Sequence, residues 1–181
     1  MNLLLAIEAP TGDVGFQKRQ KKGGLTMVEE GKKAPDFTLP ADDGGKVNLS
    51  GLKGQRVVLF FYPKDDTSGC TKEAIAFTGL IAEFKAENAH VIGISPDSVE
   101  SHEKFKAKHE LKVQLLADEE KTAAEKYGVW VEKSMYGRKY MGVERSTFII
   151  DKSGKIAKLW QKVKVPGHAE AVLEAVKDLA N

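Results

Sequence analysis

From Lys46 onward, short runs of β-branched and aromatic residues alternate with stretches of helical period, and this alternation restricts the fold more than any other feature of the sequence. Val57-Val58-Leu59-Phe60-Phe61-Tyr62 is apolar throughout and of strand length; it stops at Pro63, which has no N–H to continue a ladder. Residues 71–88 predict a helix, with Phe77, Leu80, Ile81 and Phe84 at the i, i+3, i+4, i+7 spacing. Residues 90–95 predict a second buried strand, after which Pro96-Asp97-Ser98 opens a charged helix running to about His109. Residues 113–116 predict a third strand and residues 119–127 a third helix, ended by Gly128. Residues 145–150 and 156–161 predict a hairpin across Asp151-Lys152-Ser153-Gly154, and Val172, Ala175, Val176 and Leu179 share one stripe of a final helix. Strands that alternate with helices require a sheet covered on both faces, and the closing hairpin adds antiparallel neighbours. The fold class is therefore α/β, a central mixed sheet flanked by helices.

At 181 residues the chain suits one domain with a sizeable core, and 41% hydrophobic with 30% charged residues is ordinary for a globular protein. The net charge of +2 lies in residues 1–26, where Lys18, Arg19, Lys21 and Lys22 outnumber Glu8 and Asp13. The remainder is formally neutral, which offers no footprint for a nucleic acid or an anionic membrane. No apolar run approaches the roughly 20 residues of a membrane span. The opening Met1-Asn2-Leu3-Leu4-Leu5-Ala6-Ile7 is too short for a signal peptide, is followed by Glu8, and has its basic residues on the wrong side. Residues 1–27 are expected to be a flexible extension, with Met27 as a second plausible start, and residues 28–181 a single domain.

Cys70 is the only cysteine, so no intrachain disulfide can form, a disulfide-stapled secreted fold is excluded, and a reducing cytoplasm is the expected compartment. His90, His102, His109 and His168 lack metal-ligand spacing and are read as surface or structural residues; no metal is assigned. There is no phosphate-binding loop or dinucleotide fingerprint, and no cofactor is expected.

The chemistry is concentrated in Pro63-Lys64-Asp65-Asp66-Thr67-Ser68-Gly69-Cys70-Thr71-Lys72-Glu73. A buried strand ends, a loop follows, and Cys70 falls in the first turn of the next helix. Free N–H groups and the helix dipole favour a thiolate there, and the thiolate is the nucleophile. Asp65 and Asp66 oppose it, so a reactive Cys70 needs a nearby cation. Each residue also has a plainer reading. Cys70 shares a wheel face with Phe77, Ile81 and Phe84 and would pack as a small hydrophobe. The Thr67 hydroxyl could accept from the thiol and donate to a peroxide, or it could cap the helix. Pro63 could restrict solvent or merely end the strand. With Thr67 and Glu73 at the positions a Cys-x-x-Cys motif would fill, the chain is not a dithiol exchanger.

Pro63-x-x-x-Thr67-x-x-Cys70 resembles the active-site pattern of the peroxiredoxins. Gly31-Lys32-Lys33-Ala34-Pro35-Asp36-Phe37-Thr38-Leu39 resembles their N-terminal hairpin. Tyr127-Gly128-Val129-Trp130, the stretch from Met135 through Tyr136 to Gly142, and Arg145-Ser146-Thr147-Phe148-Ile149-Ile150-Asp151 are similar to the bacterioferritin comigratory subfamily, also called peroxiredoxin Q. The resemblance spans about residues 28–180. It implies a thioredoxin fold with an N-terminal hairpin, and a thiol-dependent peroxidase that reduces hydrogen peroxide and organic hydroperoxides through a Cys70 sulfenic acid. It further implies that Arg145 lies beside the thiolate, offsetting Asp65 and Asp66 and polarising the O–O bond together with Thr67. Glu73 matches the same helix pattern and would either orient Arg145 or stand as a solvated first-turn carboxylate.

Where many relatives have a resolving cysteine five residues on, this chain has Ile75, so it resembles a one-cysteine member whose sulfenic acid is reduced by an external thiol such as thioredoxin, glutaredoxin or glutathione. A monomer or weak dimer is expected. Trp130, Tyr136 and Met141 are assigned to core packing in preference to the substrate approach. The alternative from another class is a redox-sensing binding protein or holdase switched by Cys70 oxidation, which would consume one peroxide and stop.

Overall fold

A computed structural model describes residues 28–179. The expected extension over residues 1–27 lies outside them. In chain order the elements are β1 (Thr38–Pro40), β2 (Lys46–Asn48), a 3₁₀ turn (Leu49–Leu52), β3 (Arg56–Phe61), α1 (Ser68–Gly79), α2 (Ile81–Ala86) and β4 (Ala89–Ser95). They continue with α3 (Val99–His109), β5 (Gln114–Ala117), α4 (Thr122–Lys126), β6 (Trp130–Met135), β7 (Arg138–Val143), β8 (Ser146–Ile150), β9 (Ile156–Trp160) and α5 (His168–Asp178).

The sheet is mixed, in the order β5-β4-β3-β8-β9. β3 pairs parallel with β4 and β4 with β5, whereas β8 runs antiparallel to both β3 and β9. The apolar run on β3 explains why the sheet is buried on both faces. Val57, Leu59 and Phe61 enter one core with Phe148, Ala123, Ala124 and Tyr127. Val58, Phe60 and Tyr62 enter the other with Cys70, Phe77, Phe84, Phe105 and Val172. Successive side chains of a strand point to opposite faces, so one hexapeptide anchors both cores. The leading segment crosses the first face: Lys33 bridges to Lys155 and Ala41 to Leu116, and β1 with β2 forms the expected hairpin between them. Among the described residues no helix is long and apolar enough to cross a membrane.

Four expectations are corrected. The helix predicted over residues 71–88 is two, broken at Leu80 after the weak helix formers Thr78 and Gly79. The third helix starts only at Thr122, because Lys121 is left-handed (φ 60°) and the Asp118 carboxylate accepts the Ala123 and Ala124 N–H groups at 3.2 and 2.8 Å. Leu179 lies beyond α5 and is exposed, while Val172, Ala175 and Val176 are buried as expected. Finally, β6 and β7 form an unpredicted hairpin whose turn, Tyr136 and Gly137, has positive φ at both positions, as a type I′ turn requires. The dipeptide Tyr136-Gly137 was the available signal. This hairpin projects, leaving Tyr136 fully exposed and Met141 about half exposed, so core packing is wrong for both; Trp130 does pack, half-buried, against the first core.

Candidate active site

Cys70 is the third residue of α1 and is buried, 2% exposed. The helix forms there because Thr67 takes the extended backbone of an N-cap and its carbonyl accepts from the Thr71 N–H at 2.9 Å. The Thr67 side chain does not cap. Its hydroxyl donates to the Lys64 carbonyl at 2.9 Å, which closes the loop on itself and leaves the oxygen lone pairs free to accept. Pro63 is half-buried at the end of β3, where the chain leaves the sheet.

Arg145 immediately precedes β8, and the β3–β8 register pairs Ser146 with Phe61, so antiparallel pairing delivers the guanidinium to the start of the β3–α1 loop. Its Nη2 lies 3.3 Å from Cys70 Sγ, and its Nη1 donates to Glu73 Oε2. Gly69 allows this approach: a Cβ there would stand 3.2 Å from Arg145 Nη2. Glu73 is 1% exposed and its Oε1 has no partner among the described residues, which rules out a solvated carboxylate. Burial lifts its carboxyl from the ordinary value to about 7, against the opposing pull of Arg145. Burial works against the Arg145 cation too, but the facing Glu73 and Cys70 outweigh it and hold the guanidinium charged. Behind Arg145, His168 Nε2 meets Thr147 Oγ1 at 2.8 Å; burial, reinforced by the Arg145 charge, lowers that imidazole to about 4 and keeps it neutral.

The loop acids are compensated from an unexpected direction. Asp66 pairs with Lys108 and His109 at 2.6 and 2.7 Å and Asp65 hydrogen-bonds His102 at 2.8 Å, so both acids are held by α3 rather than by Arg145. Sequence reasoning missed this because the partners lie some 40 positions away with no spacing motif.

Residues 30–159 match the model of the AhpC/TSA family. Over 153 residues the chain is 50% identical to Peroxiredoxin Bcp of Bacillus subtilis, covering 84% of this chain and 98% of that protein. The chain belongs to this family of peroxiredoxins. Among solved structures, the peroxiredoxin is similar to the bacterioferritin comigratory protein of Xanthomonas campestris, studied for its alkyl peroxide reduction activity, with a TM-score of 0.77, 40% identity, and 80% and 92% of the two chains covered. It is also similar to a mutant of the Xylella fastidiosa peroxiredoxin Q, with a TM-score of 0.80, 36% identity, and 88% and 100% covered. These neighbours fix the thioredoxin-type fold and the bacterioferritin comigratory group. The protein is a thiol-dependent peroxidase that reduces hydroperoxides and takes its electrons from a thiol, and it is a one-cysteine variant, with Ile75 about half exposed on the outer face of α1.

Proposed function

We propose that Cys70 is the peroxidatic nucleophile, Arg145 the cation that stabilises its thiolate and the developing charge, Thr67 a polar contact to the peroxide, and Pro63 the residue that shields the thiolate from solvent. The single observation that carries this reading is the 3.3 Å approach of Arg145 Nη2 to a buried sulfur in the first turn of a helix. The Cys70 thiolate attacks the terminal oxygen of ROOH. An S–O bond forms, the O–O bond breaks, and the leaving RO⁻ takes a proton to become ROH, which leaves Cys70 as a sulfenic acid. Charge builds on the leaving oxygen, where the fixed guanidinium and the N–H groups of the first turn are already oriented. To donate there, the Thr67 hydroxyl must rotate from the Lys64 carbonyl.

With one cysteine, reduction requires two external thiols: the first displaces water to form a mixed disulfide, and the second releases Cys70 as a thiol and leaves with the oxidised partner. We assign this role to thioredoxin, glutaredoxin or glutathione in the cytoplasm, acting on a monomer or weak dimer. Steady-state peroxide consumption with each reductant in turn ranks them, and a protein that stopped after one peroxide with all three would return the holdase reading. Cys70→Ser is nearly isosteric and severs no disulfide, so it should fold and lose all turnover. Activity above about a hundredth of the parent would remove Cys70 from its role.

A further inference from the structure

The β3–α1 loop is also tied down by a buried network that the peroxide chemistry does not use. The Asp65 carboxyl, 7% exposed, accepts from the Tyr62 hydroxyl at 2.6 Å on Oδ1 and from Ser101 Oγ at 2.8 Å on Oδ2, and Oδ2 also lies 2.8 Å from His102 Nδ1. The Asp65 backbone N–H donates to Asp97 Oδ2 at 2.8 Å, and that oxygen also accepts from Ser95 Oγ at 2.6 Å. His102 has no exposed surface, and its Nε2 lies 3.0 Å from the Leu116 carbonyl oxygen.

The hydrogen bonds of His102 follow from its partners. The Leu116 carbonyl only accepts, so Nε2 donates to it, while Nδ1 is joined to the Asp65 carboxyl at 2.8 Å and lies 3.5 Å from the Tyr62 hydroxyl. The second oxygen of the Asp65 carboxyl is satisfied by Tyr62. Burial, and then the neighbouring Asp65 charge, push Tyr62 well above its ordinary value, so its hydroxyl stays a donor. One pair thus joins the loop to α3 through Asp65 and to β5 through Leu116.

We propose that His102, held between the Asp65 carboxyl and the Leu116 carbonyl, is a positioning residue for the peroxidase reaction, fixing through Asp65 the loop that sets Thr67 and Cys70. The path is short. Asp65 follows Lys64, whose carbonyl holds the Thr67 hydroxyl, and Thr67 is the N-cap of the helix that bears Cys70. A loop freed from α3 would let all three drift, and misplacement on the order of 1 Å can cost about a hundredfold in rate. The proposal rests on Cys70 being the nucleophile, yet its first test does not.

Nitrogen-15 spectra of histidine-labelled protein should show a proton on Nε2 of His102, the one donated to the Leu116 carbonyl; a bare Nε2 would overturn the proposal whatever Cys70 does. His102→Ala should lower the ratio of the peroxide to the iodoacetamide rate constant at least about tenfold in folded protein, since alkylation by a small neutral reagent does not need Thr67 and Arg145 aligned. An unchanged ratio overturns the positioning role. If His102→Ala does not fold, Tyr62→Phe removes one donor to Asp65 without opening a cavity and should lower the ratio about threefold, an unchanged ratio again being fatal. A role confined to stability would lower melting temperatures and leave the ratio alone.

Discussion

Two ionic groupings flank the junction between β3 and α1. On the sheet side Arg145 and Glu73 are largely buried, and the guanidinium reaches Cys70. On the outer side Asp66, with Lys108 and His109, stands mostly in water: the Asp66 side chain is 44% exposed and that of Lys108 62%. Both contain opposite charges at bonding distance, but their surroundings separate them. Water and mobile ions screen the outer group, so it neutralises Asp66 and transmits little to the sulfur. The inner group is screened far less, so its charges act more strongly on what they face, and burial itself shifts Glu73 to about 7. Chemistry follows the pair that burial makes expensive, and ordinary surface electrostatics follows the other.

The sharpest way to break this contrast is Arg145→Ala. The substitution leaves Glu73 buried without its partner, which costs about 3–5 kcal/mol of stability on the usual scale for half of a buried pair. It should also slow peroxide reduction at least about tenfold, on the order of 1.5–3 kcal/mol for one charge-assisted contact. Comparing peroxide with a neutral alkylating agent at high pH, where the thiol is already ionised, separates the two tasks of Arg145. A peroxide rate that recovers fully there would confine Arg145 to thiolate stabilisation.

Glu73→Gln tests the cost of burial on the same side. The folded carboxyl titrates near 7 and the unfolded one near its ordinary 4.5, so between those values the folded chain binds more protons. Stability from this group is therefore complete below about pH 4.5 and falls as pH rises through 7, by up to about 3 kcal/mol. His168 contributes with the opposite sign, since its folded value of about 4 lies below 6.5 and favours the folded state as pH rises through that window. Urea unfolding of parent and Glu73→Gln at several pH values, taken as a difference, cancels His168 and should show the Glu73 slope alone. A flat difference between pH 5 and 8 would mean that Arg145 fully compensates the burial.

The contrast also marks what was legible in the sequence. The β3 hexapeptide announced a strand buried on both faces, because a short run of β-branched and aromatic residues with no polar position suits a strand that is covered on both sides. Cys70 in a first helical turn was legible as well, from Pro63 ending one element and the period of Phe77 and Phe84 beginning another. The contact between Arg145 and Cys70 was not legible from spacing: the two are 75 positions apart, and only the antiparallel register of β8 on β3 brings them together, so family resemblance alone pointed to it. The compensation of Asp66 by α3 had no signal at all, because surface lysines are interchangeable to a sequence reader until the helix is docked. Secondary structure is written locally in period and turn chemistry, whereas the electrostatics of a site depends on which elements topology sets side by side.

Lys108→Ala removes one of the two cations on Asp66 and leaves His109 at 2.7 Å to share the carboxylate. Lys108 and, next to it, His109 hold that carboxyl below its ordinary range, so it is ionised at neutral pH in parent and variant alike. The substitution therefore uncovers a negative charge without changing its protonation. Water reaches that charge directly, and at 0.1 M salt the screening length is about 10 Å, so little of its field should arrive at the sulfur. The peroxide rate constant should stay within about twofold of the parent, and any difference should vanish as salt is raised. Stopped-flow rates at low and high salt decide the matter. A tenfold loss that persists at high salt would mean that Asp66 reaches the Cys70 thiolate through the protein rather than through solvent. The outer group would then belong to the active site, and burial would not be what separates the two.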